Sequence, residues 1–191
     1  MKYLPNILTL SRILLTFLFI YFVSQSSLIS ILLATFIFTL ASLTDYYDGH
    51  IAKKMNVKSN FGTIMDPLAD KFLILAAFFI FVQARLMESW MFSIIFAREI
   101  FITAIRVVAM VKGRFLGAEK SGKIKTVIQM ITIWLVLLTI IFKAAGLMSS
   151  WSWGIILAWS WLLMFSMWLT VAITLVSGVI YLLHNWKLFL R

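Results

Sequence analysis

Long apolar stretches constrain the fold of this chain more than any other feature of its sequence. A helix needs roughly 20 mostly apolar residues to cross the hydrocarbon core of a bilayer. Six stretches meet that requirement, at about residues 7–23, 28–48, 64–84, 90–111, 124–142 and 153–183. Helices satisfy their own backbone hydrogen bonds, so they are the expected way to span lipid. The sequence therefore predicts an all-α integral membrane protein with six transmembrane helices, forming a single membrane-embedded domain over 1–191.

The composition agrees with a membrane protein and limits the chemistry. Of the 191 residues 63% are hydrophobic and 13% are charged, whereas about 25% are charged in soluble domains. The absence of cysteine excludes disulfides, thiolate metal sites and cysteine nucleophiles. Two histidines are too few for a histidine-rich zinc site. Any metal must be held by oxygen, which favours magnesium, manganese or calcium.

The basic residues predict the orientation in the membrane. The net charge of +10 would suggest nucleic acid in a soluble protein. Here the positive-inside bias and anionic lipid head groups explain it, so we expect no nucleic-acid partner. With the N-terminus in the cytoplasm, Arg85 and Lys143 are the outer basic residues. The inner ones are Lys2, Arg12, Lys53, Lys54, Lys58, Lys112, Arg114, Lys120, Lys123, Lys125, Lys187 and Arg191. This asymmetry predicts a multi-pass protein of the inner (cytoplasmic) membrane with both termini cytoplasmic.

Four of the seven acidic residues lie between positions 45 and 70. Asp45 and Asp48 are three apart and are expected to close the second helix. Asp66 and Asp70 are four apart and are expected to open the third, with Pro67 near its start. On a helix these spacings place each pair on one face. The connecting segment is basic, so both pairs should face the cytoplasm at similar depth.

The four carboxylates predict a divalent-metal site. They repel one another and lose solvation, which is costly unless cations are bound. Two divalent ions bridged by shared carboxylates would remove this cost, and such pairs serve in-line phosphoryl displacement. Two simpler readings stay open for parts of the pattern: a cation site of a transporter, and helix-end charges that cap a helix or interact with its dipole. Transporter sites usually lie near the bilayer midplane, which argues against the first.

The sequence Asp45-Tyr-Tyr-Asp48-Gly49-His-Ile-Ala52-Lys53, followed after eight residues by Gly62-x-x-x-Asp66-x-x-x-Asp70, resembles a known signature. It is that of the CDP-alcohol phosphotransferases, membrane enzymes of phospholipid synthesis with the pattern D-x-x-D-G-x-x-A-R, eight residues, G-x-x-x-D-x-x-x-D. Lys53 stands where the family usually has arginine; lysine keeps the charge but lacks the bidentate fork.

Further segments resemble the subgroup of this family whose acceptor alcohol is sn-glycerol 3-phosphate. The resemblance covers about residues 4–135 and rests on Pro5–Arg12, Met65–Lys71, Arg98-Glu99-Ile, Arg106 and Gly122–Gln129. It implies the family's fold and a reaction of CDP-diacylglycerol with glycerol 3-phosphate that gives a phospholipid and CMP. Phosphatidylglycerol or inositol phosphate as the acceptor is the alternative within the same chemistry. The resemblance also implies a homodimer.

The resemblance assigns roles to residues in the first three predicted helices and in the segments beside them. Asp45, Asp48 and Asp66 would hold one metal ion, Mg²⁺ or Mn²⁺, and Asp45, Asp66 and Asp70 the other. Asp70 would also be the catalytic base for the acceptor hydroxyl. The residues implied to bind CDP-diacylglycerol are Asn6, Thr9, Arg12, Gly49, Ala52, Lys53 and Ser59.

The acceptor's dianionic phosphate requires a cationic pocket. Arg98 and Arg106 are eight residues apart and share a face of the fourth helix. Lys123 and Lys125 begin the fifth helix, whose N-terminus also favours anions. We expect Arg106 and Lys125, helped by Arg98 and Lys123, to bind the phosphate. The alternatives are that the lysines are positive-inside anchors and that Arg98 pairs with Glu99 or with the aspartates. The sixth stretch carries no motif that assigns it a role.

Overall fold

The described part of the chain is helical throughout. The computed structural model describes the backbone of residues 4–25, 27–55, 60–111 and 120–185, and the side chains of 10–25, 27–44, 71–109 and 122–185. Its elements are α1 (Leu4–Val23), α2 (Leu28–Met55), α3 (Asn60–Gln83), α4 (Ser89–Val111), α5 (Lys120–Ala144), a short 3-10 helix (Leu147–Ser150) and α6 (Trp153–His184). These ranges contain no strand, so the prediction of an all-α protein is confirmed.

The helices α2 and α3 extend beyond the apolar stretches that predict them. Helix α2 continues past Asp48 to Met55, and α3 begins at Asn60, well before Asp66. The prediction that the aspartates close one helix and open the next is therefore wrong. The apolar stretch indicates only the part of a helix that lipid can surround. The helix itself can continue further, because polar residues such as lysine also favour helix. Pro67 consequently lies inside α3 and not in its first turn, so it contributes no N–H to the hydrogen bonds of that helix.

Two helices in the described part of the chain are long and apolar enough to cross a bilayer. They cover Gly122–Ala144 and Trp153–His184. Shorter apolar helical segments cover Leu10–Val23, Leu28–Thr44 and Lys71–Gln83. Helix α4 interrupts its apolar sequence with Arg98, Glu99 and Arg106. The membrane class of the protein is supported by these segments, and the finer expectation of six spans stays a prediction.

The chain divides into two units, and the first comprises Met1–Ile80 with Thr139–Met148. Within it α1 packs against α2. Phe19 and Phe38 are fully buried, with ring centroids 5.5 Å apart. Ala34 and Ala41 on α2 are also fully buried, and small residues of this kind permit close helix packing. Aromatic packing thus holds α1 against α2, the helix that carries the first aspartate pair.

The second unit comprises Phe81–Leu138 with Ser149–Arg191, and in it α4 packs against α6. Helix α6 buries one stripe of its surface and exposes large apolar side chains elsewhere, as a helix in lipid does. The buried residues recur every three or four positions: Ser166, Met167, Thr170, Val171, Thr174, Ser177, Gly178 and Tyr181. Most of them are small or polar, so this stripe has hydrogen-bonding groups inside the unit.

Two turns use the left-handed backbone region. Arg85 (φ 56°) ends α3 in a Schellman motif, in which the amides of Arg85 and Leu86 donate to the carbonyls of Val82 (3.0 Å) and Phe81 (2.9 Å). Gly146 (φ 69°) follows α5, and its amide donates to the carbonyl of Lys143 at 3.1 Å. The absence of a side chain makes that conformation inexpensive for glycine.

Candidate functional site

A buried carboxylate is the centre of a polar cluster in the second unit. Glu99 on α4 is only 1% exposed. The Lys125 ammonium forms a salt bridge with its Oε1 atom, and both side chains are buried. Arg98 Nη1 also lies 3.4 Å from this oxygen, and Gln129 Nε2 lies 3.5 Å from it. A carboxylate can be buried at this depth because cations and hydrogen-bond donors surround it.

Helix α5 brings two of these partners to the carboxylate because they are four residues apart. Lys125 and Gln129 lie on one face of α5, and both are buried. Gln129 Nε2 also lies 3.5 Å from the hydroxyl oxygen of Thr174 on α6. Lys123 lies on the exposed side of α5. Of the two lysines predicted to bind phosphate, the structure thus places only Lys125 in the cluster.

Helix α6 provides the remaining contacts of Arg98. Arg98 Nη2 donates to the Ser177 hydroxyl at 3.1 Å, and that hydroxyl donates to the carbonyl of Thr174 at 3.0 Å. At Gly178 an added Cβ would lie 3.2 Å from Arg98 Cγ and 3.4 Å from Nε. The arginine stem therefore uses the space that the missing side chain leaves.

Arg106, predicted to share a face of α4 with Arg98, contacts the same end of α6. Its guanidinium carbon lies 5.1 Å from the ring centroid of Tyr181, a cation–π distance. Tyr181 is 2% exposed, and its hydroxyl has no hydrogen-bond partner. The Nε atoms of Arg98 and Arg106 are also buried without a partner. The cluster thus has guanidinium donors that the protein itself does not satisfy.

The cluster carries an excess of positive charge among the residues that the structure describes. Arg98, Arg106 and Lys125 are opposed by one carboxylate, that of Glu99. Unsatisfied buried donors are costly. A phosphate group would satisfy both the charge and the donors, since guanidinium groups bind it through paired N–H bonds. The expectation that Arg98, Arg106 and Lys125 bind a phosphate stays a prediction that this geometry favours.

Sequence reasoning left open the partner of Arg98 and missed the role of α6. The structure gives Arg98 the carboxylate of Glu99 as its ion-pair partner, one of the two pairings considered. It adds Gln129, Thr174, Ser177 and Tyr181 to the cluster. The signal on α6 was the recurrence of Ser and Thr every three or four residues in an otherwise apolar helix, which is typical of helix contacts in lipid.

The predicted metal and nucleotide residues lie mostly outside the described side chains. Asp45 and Asp48 are inside the helical backbone of α2, and Asp66 and Asp70 are inside that of α3. The side chains of these four, and those of Asn6, Thr9, Gly49, Ala52 and Lys53, are outside the described set, as is all of Ser59. The side chains that are described contain no group of three metal-ligating residues. Arg12 is described and is 7% exposed.

The fold and this cluster define an all-helical, membrane-associated protein with a buried cationic site. The chain matches the CDP-alcohol phosphatidyltransferase family over residues 2–176. It therefore belongs to that family, and the resemblance seen in the aspartate signature is confirmed.

Curated relatives share the similarity, one of them over nearly the whole chain. A CDP-diacylglycerol–glycerol-3-phosphate 3-phosphatidyltransferase of Bacillus subtilis is 34% identical over 202 residues, covering 96% of this chain and 95% of that protein. A protein of the same name from Rickettsia typhi is 32% identical over 141 residues, covering 72% and 78%. Another from Escherichia coli K12 is 32% identical over 139 residues, covering 69% and 75%.

Proposed function

We propose that this protein transfers the phosphatidyl group of CDP-diacylglycerol to sn-glycerol 3-phosphate, forming phosphatidylglycerophosphate and CMP. The observation that carries the proposal is the similarity, over 96% of this chain, to the Bacillus subtilis relative that bears the name of this activity. The cationic cluster of α4, α5 and α6 supports it independently, because this acceptor differs from a simple alcohol by a dianionic phosphate.

The reaction is a displacement at the phosphatidyl phosphorus. The acceptor's free primary hydroxyl oxygen forms a bond to that phosphorus, and the bond from phosphorus to the oxygen of CMP breaks. CMP leaves with the electron pair, and the carboxylate of Asp70 accepts the hydroxyl proton. The acyl chains can stay in the bilayer throughout, which suits an enzyme built from apolar helices.

The aspartates suit two oxygen-liganded divalent cations. Helical spacings of three and four residues place Asp45 with Asp48 on one face of α2 and Asp66 with Asp70 on one face of α3. Carboxylate oxygens are the ligands that Mg²⁺ and Mn²⁺ prefer. When bound to all four aspartates, the two ions would neutralise the pyrophosphate and favour departure of CMP.

Unequal roles for the aspartates are testable. We expect Asp70→Asn to abolish turnover but to spare most CDP-diacylglycerol binding, because the proton acceptor is lost while Asp45, Asp48 and Asp66 remain. Asp45→Asn should lose both turnover and binding, since Asp45 is proposed to hold both ions. Turnover assays and equilibrium binding of CDP-diacylglycerol to purified protein measure the two effects. Identical behaviour of the variants would disprove this division of roles.

The acceptor site is proposed to use Arg98 and Arg106 directly, with Lys125 adding charge from its salt bridge to Glu99 and Lys123 contributing from the exposed side. Charge reversal by Arg106→Glu should raise the KM for glycerol 3-phosphate far more than the KM for CDP-diacylglycerol. Lys143→Glu, at an exposed position near the end of α5, is the control. An equal rise of both KM values for Arg106→Glu would disprove the assignment of Arg106 to the acceptor's phosphate.

The nucleotide site is proposed to include Arg12, whose burial on α1 is unusual for a cation and suits contact with a phosphate. The resemblance adds Asn6, Thr9, Gly49, Ala52, Lys53 and Ser59. Arg12→Gln should therefore raise the KM for CDP-diacylglycerol and leave that for glycerol 3-phosphate near the wild-type value.

The decisive experiment is an assay of purified protein with CDP-diacylglycerol, labelled glycerol 3-phosphate and Mg²⁺ or Mn²⁺. We expect CMP release that a chelator abolishes. Release of CMP with phosphatidylglycerol or inositol phosphate, but not with glycerol 3-phosphate, would show that this other compound is the acceptor. No release with any alcohol would overturn the enzyme class and leave cation transport as the reading of the aspartates.

The proposed topology has six spans, cytoplasmic termini and a cytoplasmic active site in the inner membrane. The chain contains no cysteine, so single cysteines can be labelled without background. In intact cells an impermeant thiol reagent should modify Lys143→Cys and spare Lys58→Cys. The reverse pattern would invert the topology. Crosslinking in the membrane tests the homodimer that the resemblance implies.

A further inference from the structure

We propose that the C-terminal turns of α6 position the acceptor's phosphate, with Ser177 and Gly178 orienting Arg98 and Tyr181 orienting Arg106. The inference rests on the proposed function, because it assigns the two arginines to the phosphate of glycerol 3-phosphate. It gives a role to a helix that carries no part of the aspartate signature. Ser177, Gly178 and Tyr181 also lie beyond residue 176, where the family match ends.

Ser177 fixes one edge of the Arg98 guanidinium. Its hydroxyl hydrogen points to the carbonyl of Thr174 (3.0 Å), so its oxygen is left to accept from Arg98 Nη2 (3.1 Å). Glu99 lies 3.4 Å from Nη1. The two terminal nitrogens are thus held by protein groups, and the buried Nε–H remains without a partner. A held guanidinium with an unused donor is oriented for a further acceptor.

Gly178 lets the stem of Arg98 lie directly on α6. An alanine Cβ at this position would lie 3.2 Å from Cγ and 3.4 Å from Nε. The distance to Cγ is tighter than ordinary van der Waals contact, so the arginine stem would have to shift by a few tenths of an ångström. The shift would move Nε, the buried donor that has no hydrogen-bond partner and that we assign to the phosphate.

Tyr181 lies one turn further along α6 and supports Arg106. The aromatic ring is almost fully buried, and the guanidinium carbon lies 5.1 Å from its centroid. The ring restrains the plane of the guanidinium while leaving its edge free to donate. Arg106 Nε is buried and has no partner. One face of α6 therefore holds two guanidinium groups, each with an unused donor, as binding of a phosphate dianion requires.

Steady-state kinetics with matched variants test the roles of Ser177 and Gly178. We expect Ser177→Ala and Gly178→Ala each to raise the KM for glycerol 3-phosphate about tenfold. The kcat and the KM for CDP-diacylglycerol should stay within about twofold of wild type. The controls are Ser160→Ala and Gly154→Ala on the same helix. Ser160 is exposed, and an added Cβ at Gly154 would meet nothing within 4 Å.

Tyr181 is tested by comparing two replacements. Tyr181→Phe keeps the ring and should keep the KM for glycerol 3-phosphate within about twofold of wild type. Tyr181→Leu removes the ring and should raise that KM about fivefold. Equal effects of the two variants would overturn the assignment of Tyr181.

Failure of this inference is distinguishable from failure of the proposed function. A wild-type protein that releases no CMP with glycerol 3-phosphate disproves the function. An active wild type whose Ser177→Ala and Gly178→Ala variants match their controls overturns the positioning role. A fall in kcat with both KM values unchanged, or an equal rise of both, shows a merely structural role and also overturns it. If Gly178→Ala does not fold, Ser177→Ala decides the outcome.

Discussion

Replacing Glu99 with glutamine should destabilise this protein more than removing Lys125. Glu99 is the carboxylate to which Lys125, Arg98 and Gln129 all converge, and it is 1% exposed. Its neutralisation breaks the buried salt bridge with Lys125 and the ion pair with Arg98 together. Loss of Lys125, by contrast, leaves Glu99 with Arg98 at 3.4 Å and Gln129 at 3.5 Å.

The magnitude follows from the cost of breaking a buried ion pair. Removing one partner of a buried pair costs about 3–5 kcal/mol. For a chain of this length 1 kcal/mol corresponds to about 2–4 °C in Tm, so Glu99→Gln should lower Tm by about 6–20 °C. Lys125→Met should cost about 1–3 kcal/mol, because the carboxylate keeps other donors. The double variant should be more stable than Glu99→Gln, since the buried ammonium that lost its salt bridge to Glu99 is gone.

Thermal unfolding of detergent-purified protein, followed by the fluorescence of its eight tryptophans, measures these differences. Glu88→Gln is the matched control, because Glu88 is exposed just before α4. A Tm for Glu99→Gln equal to that of the control would refute the reasoning. Strict additivity in the double variant would also refute it, since coupled charges must deviate from additivity.

Two further predictions concern packing and backbone. The hydroxyls of Thr132 and Thr170 lie 2.8 Å apart in the buried α5–α6 contact, so Thr132→Val should cost about 0.6–1.7 kcal/mol in a membrane environment. Thermal unfolding of both single variants and the double variant checks the coupling, which is absent if their effects simply add. Gly146→Ala should lower the free energy of unfolding by about 1 kcal/mol, because Gly146 has φ 69°. Gly154→Ala should leave the free energy of unfolding nearly unchanged, because its added Cβ meets nothing within 4 Å. Equal Tm values for the two glycine variants would contradict that prediction.

The sequence predicts the helices well because the length of an apolar stretch is a local property. The start of α2 at Leu28 and the end of α4 at Val111 agree with the predicted stretches. The ends near Asp48 and Asp66 do not agree, because a helix can continue through polar residues after the apolar run ends. The helical spacing within each aspartate pair survives this error, since it depends on backbone periodicity and not on where the helix stops.

The polar cluster is harder to predict because its contacts join distant segments. The Arg98–Glu99 pairing can be predicted from the sequence as one of two pairings, because the two residues are adjacent. That Lys125 pairs with the same carboxylate depends on how α4 and α5 are placed. The contribution of α6 depends on which face it buries, and a serine or threonine repeat marks that face without naming its partners.

Charge balance explains why such a cluster would discriminate a phosphorylated acceptor from a neutral alcohol. Buried cations in an apolar environment are expensive, and among the described side chains of this cluster Glu99 is the one carboxylate that opposes Arg98, Arg106 and Lys125. A dianionic phosphate would bring these four side chains and their ligand to neutrality, whereas glycerol would leave the excess charge in place. The stabilising partner in this reasoning is the substrate itself, so stability and specificity become linked. Saturating glycerol 3-phosphate should therefore raise the Tm of the wild-type protein, and glycerol at the same concentration should not. Equal shifts in Tm with the two compounds would show that the cluster does not select the acceptor.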